Sequence, residues 1–230
     1  MHNPVYCLHG AIGASDQLIP VADALRTSIA DVRVHDFCGH GQRGLPTDDF
    51  SIRLFAEDFI ARLNSDHIKC ADIFGYSMGG YVALYIARHY PERIGRIITV
   101  ASKLEWSVAI AEKEVKMLDP EIIAAKVPAF AAALEKRHVC GWKHVLSKTA
   151  AMMLSLGANP SLTDDDFRTI EHEVLMCIGD RDKMVSIEET VHVYRQLKNA
   201  SLCVMPSTPH PVEQLNLNFI VPAIAKFILK

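Results

Sequence analysis

The pentapeptide Gly75-Tyr76-Ser77-Met78-Gly79 sets one serine between two glycines. A serine hydroxyl is a weak nucleophile at neutral pH. It needs a base to take its proton, and the base needs an acid to orient it. An apolar run precedes this serine and a helical pattern follows it. That is the strand–turn–helix context in which a G-x-S-x-G motif lifts its hydroxyl above a sheet. Gly75 and Gly79 carry no Cβ to clash where strand and helix converge, and Gly80 lets the helix lie close to the sheet. On such a turn the partners follow in the order acid, then histidine. Gly179-Asp180-Arg181-Asp182 comes after the apolar run 174–178, and Pro206-Ser207-Thr208-Pro209-His210 after the run 202–205. Both stand at carboxyl ends of predicted strands, where open parallel sheets gather their ligands. Asp180 and Asp182 compete for the acid role, since either can instead cap its own turn, and spacing alone does not choose. Of the eleven histidines, only His210 falls in the loop after the last predicted strand. His2, His67, His89, His138, His144, His172 and His192 read as surface or lid residues.

Acyl transfer also needs two backbone N–H groups aimed at the developing oxyanion. The residue after the nucleophile, Met78, offers one. The loop after the first strand, Leu8-His9-Gly10-Ala11-Ile12-Gly13, offers the other, best from Ala11. His9 reads as a structural histidine bracing loops. Tyr76, Trp106 and Trp142 are candidates for substrate contact, although most apolar residues of the segment holding the two tryptophans should pack its own helices. The six cysteines form no CxxC pair and have no metal-ligand spacing. No metal or organic cofactor is expected.

The elements that must position these groups alternate. Strands are predicted at 5–8, 32–35, 70–74, 96–101, 174–178 and 202–205. Helices are predicted at 15–28 (capped by Ser15), 51–64, 78–89, 187–197 and 217–229. This order predicts an α/β fold with a parallel sheet of about six strands covered on both faces. The rhythm breaks from 102 to 169, where helical spacing appears at 115–118, 122–134 and 142–156. The chain therefore divides into a core of 1–101 and 170–230 and a helical insertion of 102–169. Only three residues precede Pro4, too few for another strand ahead of Val5.

Composition narrows the classes. The 230 residues carry 27 acidic and 24 basic side chains, a net charge of −3, and half of them are apolar. Such a chain supports a sizeable core and gives no electrostatic case for nucleic acid or an anionic membrane. No apolar stretch approaches the roughly 20 residues of a membrane helix, and Met1-His2-Asn3-Pro4 does not open a signal peptide. A cytoplasmic location with reduced thiols is expected, with Cys7, Cys70, Cys177 and Cys203 buried in strands.

Leu8-His9-Gly10, Asp36-Phe37-Cys38-Gly39-His40-Gly41, Gly75 to Gly80, Tyr90-Pro91-Glu92-Arg93-Ile94, Gly179 to Val185 and His210 occur in that order. With these pieces the chain resembles the α/β-hydrolase-fold serine hydrolases through nearly the whole core. In that family the second aspartate of G-D-x-D is the acid, so the resemblance implies Asp182. It also implies that 102–169 is a cap roofing the site. Two departures stand out. The N-terminal β-hairpin common among relatives has no room here, and Tyr81 stands where the superfamily's menaquinone-pathway lyase carries an arginine. Serine at 77 sets the chain apart from the dehalogenases and epoxide hydrolases, which carry aspartate there, and from the dienelactone hydrolases, which carry cysteine. The implied activity is hydrolysis of a small carboxylic ester or thioester through an acyl-enzyme on Ser77. The alternatives are a C–C bond hydrolase or lyase using the same triad and a non-catalytic scaffold. The implied partner is a small-molecule substrate.

Overall fold

A computed structural model describes residues 2–230. Six strands, β1 (Val5–Leu8), β2 (Val32–His35), β3 (Ala71–Tyr76), β4 (Ile94–Val100), β5 (Glu173–Gly179) and β6 (Asn199–Met205), form one sheet in the order β2-β1-β3-β4-β5-β6. Every pairing is parallel. Residues 2–4 form no strand, as the shortness of that segment predicts.

The pleat sends alternate residues to opposite faces, and each face has its own core. Tyr6, Leu8, Ile73, Ile97, Val174 and Met176 pack toward Phe55, Phe59 and Leu63 of α2 (Ile52–Ser65) and the buried side of α3 (Met78–His89). Val5, Cys7, Phe74, Ile98, Leu175 and Cys177 pack toward α1 (Ile19–Arg26) and α10 (Leu217–Ile228). α9 (Ile187–Gln196) joins the first face through Val193. Ser51 caps α2 by accepting the Leu54 N–H at 3.0 Å, a bond that contributes about 1 kcal/mol.

Between β4 and β5 lie α4 (Val108–Val115), α5 (Pro120–Lys126), α6 (Pro128–Arg137), α7 (Trp142–Ala158) and α8 (Asp164–Thr169). Several boundaries differ from the sequence reading. The helix expected over 122–134 is two, because Pro128 pushes Val127 out of the helical region to φ −136°. The helix expected over 15–28 begins as a 3-10 turn at Ser15–Leu18 and becomes α-helical at Ile19, with Pro20 in its first turn. Ser15 is not its cap; its N–H goes to Asp36 Oδ1 at 2.6 Å. Cys70 precedes β3 and Cys203 lies on the edge strand β6, so both are half-buried where full burial was expected. All six cysteines are free thiols. Among the described residues no helix is long and apolar enough to cross a membrane.

Candidate active site

β3 runs into Ser77 and α3 leaves it, so the serine must turn the chain within one residue. It does so at φ +50°, a conformation that costs a non-glycine residue about 1–3 kcal/mol. Its N–H is tied to the Val100 carbonyl at 2.8 Å. A Cβ on Gly75 would lie 2.5 Å from Gly80 Cα, and one on Gly79 would run into the Leu8 carbonyl. Ile12, Ala101 and Ser207 share the left-handed backbone of Ser77. Each of the four follows the carboxyl end of a strand; a fifth such residue, His67, lies between α2 and β3.

Asp182 follows β5 and His210 follows β6. His210 Nδ1 donates to Asp182 Oδ2 at 2.8 Å. The other oxygen, Oδ1, accepts the N–H groups of Met184 (2.8 Å) and Val185 (2.9 Å). The Asp182 side chain is 1% exposed and that of His210 12%. Asp180 is exposed, and its Oδ1 accepts the Thr208 N–H at 3.2 Å. It ties down the histidine loop rather than the imidazole. The same loop crosses Gly179 so closely that a Cβ there would meet the Thr208 carbonyl. With its proton on Nδ1, the His210 ring keeps the Nε2 lone pair for another partner. No hydrogen bond joins the ring to the Ser77 hydroxyl here, although both line one cavity. That contact differs from the sequence expectation; such bonds are commonly loose without substrate.

Neither the Ala11 nor the Met78 N–H has an acceptor among the described residues, and both residues line that cavity. The loop carrying Ala11 is held by imidazoles. His9 Nδ1 donates to the Gly10 carbonyl at 2.8 Å, and its Nε2 accepts the Phe37 N–H at 3.1 Å. Burial pushes the His9 pKa down to about 3, so the ring stays neutral. His138, read from sequence as a surface or lid residue, is buried. Its Nδ1 accepts the Gly41 N–H at 3.1 Å and its Nε2 donates to the Ile12 carbonyl at 2.9 Å. Burial lowers its pKa as well. The insertion is thereby pinned to the loop that offers the Ala11 N–H.

The cavity measures about 510 Å³. Ser77, Met78, Ala11 and His210 form its floor on the sheet side, and residues of α4, α6 and α7 close the other side. Tyr76 lines it and also donates its hydroxyl to the His210 carbonyl at 3.1 Å. Trp106 lines it too. Trp142 is a correction: it is buried among Leu118, Ile123, Ala131, Leu134 and Leu146 in a small core of the insertion and does not line the cavity, although Leu118 belongs to both. There it serves as an apolar packing residue. Tyr81 lines the cavity with its hydroxyl accepting the Leu162 N–H at 3.0 Å. No group of three or more His, Cys, Asp or Glu among the described residues is arranged to hold a metal ion.

Sequence reasoning missed three positioning or wall residues. His138 gave no local signal, because its partners are about 100 residues away. Glu189 is visible as the end of an S-x-x-E capping box with Ser186. Its carboxylate also accepts the N–H groups of Leu104 (3.1 Å) and Glu105 (3.3 Å) and the Lys103 ammonium (2.8 Å), which anchors the start of the insertion. Glu114 sits on the cavity wall, where an amphipathic helix read alone would put it in solvent.

A family model described as alpha/beta hydrolase fold matches residues 3–134. That is more than half of the chain, which therefore belongs to the α/β-hydrolase-fold family. The match includes Ser77 and the Ala11 loop; Asp182 and His210 lie beyond it. A pimeloyl-[acyl-carrier protein] methyl ester esterase of Vibrio parahaemolyticus is 36% identical over 93 residues, 39% of this chain and 35% of that relative. The chain thus aligns with about a third of that relative's length. A 2-hydroxymuconate semialdehyde hydrolase of Pseudomonas putida is 23% identical over 90% of this chain and 80% of its own. Among solved structures, a 2-hydroxy-6-oxo-6-phenylhexa-2,4-dienoate hydrolase from Rhodococcus sp. strain RHA1 superposes with a TM-score of 0.80. It is 20% identical and covers 100% of this chain and 91% of its own; it shows the shared fold.

Proposed function

We propose that the protein is a serine hydrolase that cleaves a small carboxylic ester or thioester through an acyl-enzyme on Ser77. One observation carries the reading. A strained serine, an Asp182-bound imidazole with a free Nε2 and two N–H groups without acceptors open on the same cavity. In this mechanism His210 Nε2 takes the Ser77 proton as Oγ attacks the carbonyl carbon. Asp182 holds the Nδ1–H tautomer and stabilises the imidazolium. The Ala11 and Met78 N–H groups receive the oxyanion, an arrangement in which one donor is worth about 10²–10³ in rate. His210 then returns the proton to the leaving alcohol or thiol. Water, deprotonated by the same imidazole, releases the acid and restores Ser77. Residues 102–169 act as the cap that shapes the substrate pocket and excludes water, with Trp106 and Tyr76 contacting substrate and Trp142 supporting the cap from within. The substrate is a small molecule bound without a cofactor.

A chain-length series of activated esters and thioesters, run on the wild type and Ser77→Ala, tests the reading. Turnover should occur in the wild type and fall by at least about 10³-fold in the variant. A variant as active as the wild type would overturn it. The alignment with the semialdehyde hydrolase, over 90% of this chain and 80% of that relative, favours a second reading, C–C bond hydrolysis with the same groups. Turnover of a vinylogous diketone in preference to every ester would select it.

A further inference from the structure

Along α4 the residues Ala111 and Glu114, and Leu118 one turn beyond its end, are buried, while Glu112 and Lys113 are exposed. Glu114 therefore occupies the inward stripe, at a position where an apolar side chain would pack. It is 6% exposed, lines the cavity shared by Ser77 and His210, and makes neither a hydrogen bond nor an ion pair among the described residues. The other charged groups on that wall are committed. Lys103 meets Glu189 at 2.8 Å, Arg137 meets Asp16 at 3.1 Å, and Glu213 accepts from Gln17 at 2.6 Å. Its carboxylate oxygens are not among the enclosed side-chain atoms left without a partner, so they meet the cavity rather than packed protein. No protein cation or donor meets it, and a molecule in the cavity can supply one.

We infer that Glu114 is a specificity-determining residue that receives a positively charged group, an alkylammonium or similar cation, carried by the substrate away from its scissile carbonyl. The inference rests on the hydrolase reading of the cavity and narrows its substrate class. A carboxylate facing the substrate pocket also opposes acidic chains brought next to it, where the cavity's cations Lys103 and Arg137 already face Glu189 and Asp16.

The test uses three matched p-nitrophenyl acyl esters of equal length, ending in an ammonium, a methyl or a carboxylate group, on the wild type and on Glu114→Gln. In the wild type kcat/KM should favour the ammonium ester over the methyl ester by about tenfold or more, mainly through KM, and should disfavour the carboxylate ester. In Glu114→Gln the ammonium-to-methyl ratio should fall to near one. A wild type that turns over the methyl ester with no ammonium preference at any chain length overturns the inference and leaves the hydrolase reading standing. So does a preference that survives in Glu114→Gln. Calorimetric titration of n-hexylammonium against n-hexanol into Ser77→Ala, with and without Glu114→Gln, keeps the question answerable if no ester is turned over. Binding of the ammonium that is lost with Glu114 supports the inference; equal binding to both proteins contradicts it. Thermal unfolding supplies a third readout. Glu114→Leu should keep or raise Tm, because it puts an apolar side chain on the inward stripe in place of a carboxylate that has no protein partner. A drop in Tm would show that the carboxylate serves the fold instead.

Discussion

At the scale of single residues, two aspartates that stand two positions apart do different things. Asp182 spends one oxygen on two backbone N–H groups and the other on the imidazole, so its position and that of His210 are fixed together. Asp180 touches only the backbone of Thr208. Asp182→Asn should lower kcat by about 10⁴-fold, the scale seen when the acid of a Ser-His-Asp site is neutralised and the wrong tautomer is favoured. Asp180→Asn should cost less than about tenfold, an effect of loop position rather than proton transfer. Steady-state rates on one activated ester measure both, and the reverse order would show that the acid has been misassigned. The losses from Ser77→Ala and His210→Ala should not add in the double variant, because the two groups act as one unit. The candidates at these positions were legible in the sequence, and the structure brings Asp182 and His210 into contact. Ser77 and His210 stood out by motif and by loop, and the family resemblance selected Asp182. Glu114 and His138 were not legible, because their meaning depends on what faces them across the cavity or about 100 residues along the chain.

At the scale of elements, the turn between β3 and α3 works because its glycines let backbones approach. Gly79 faces the Leu8 carbonyl at the end of β1, which is also the root of the Ala11 loop. Gly79→Ala should lower stability by about 1–3 kcal/mol and reduce kcat by shifting Ser77 against the Ala11 N–H. Gly44→Ala, where a Cβ would meet nothing within 4 Å, should leave both near wild type. Urea titration and ester turnover read the pair, and equal effects would contradict the packing argument. Most core elements were readable because β1, β3, β4 and β5 are short, largely apolar runs and the core helices have apolar stripes, whereas β2 is Val-Arg-Val-His and β6 opens on polar residues. The insertion was read less well. Helix α4 escaped notice because its inward stripe contains Glu114. The break between α5 and α6 lay in a continuous helical spacing that only Pro128 interrupts. Trp142 looked like a pocket residue, yet the insertion has enough helices to bury it in a core of its own.

At the scale of the whole molecule, three buried imidazoles couple stability to pH. His9, His40 and His138 all have pKa values lowered by burial, His9 to about 3. In the unfolded chain these rings titrate near 6.5, so below that pH the unfolded state binds more protons than the native state. Their contribution is intact above about pH 6.5 and is lost as pH falls toward the folded values. His9 alone should account for roughly 2 kcal/mol of lost stability at pH 5. The urea midpoint should therefore fall between pH 7 and pH 5, ahead of the range where carboxylates titrate. A midpoint flat across that interval would mean that the rings are not held neutral, and the bracing of the Ala11 loop would need another explanation.

The central claim is that Ser77 is the nucleophile and that His210, held by Asp182, activates it. Intact-protein mass spectrometry after brief treatment with a fluorophosphonate tests it most directly. The account predicts one phosphonyl adduct in the wild type, located on Ser77, no adduct at that site in folded Ser77→Ala, and much slower labelling of His210→Ala. A folded wild-type protein that takes up no adduct, or a Ser77→Ala protein labelled as fast as the wild type, would contradict it.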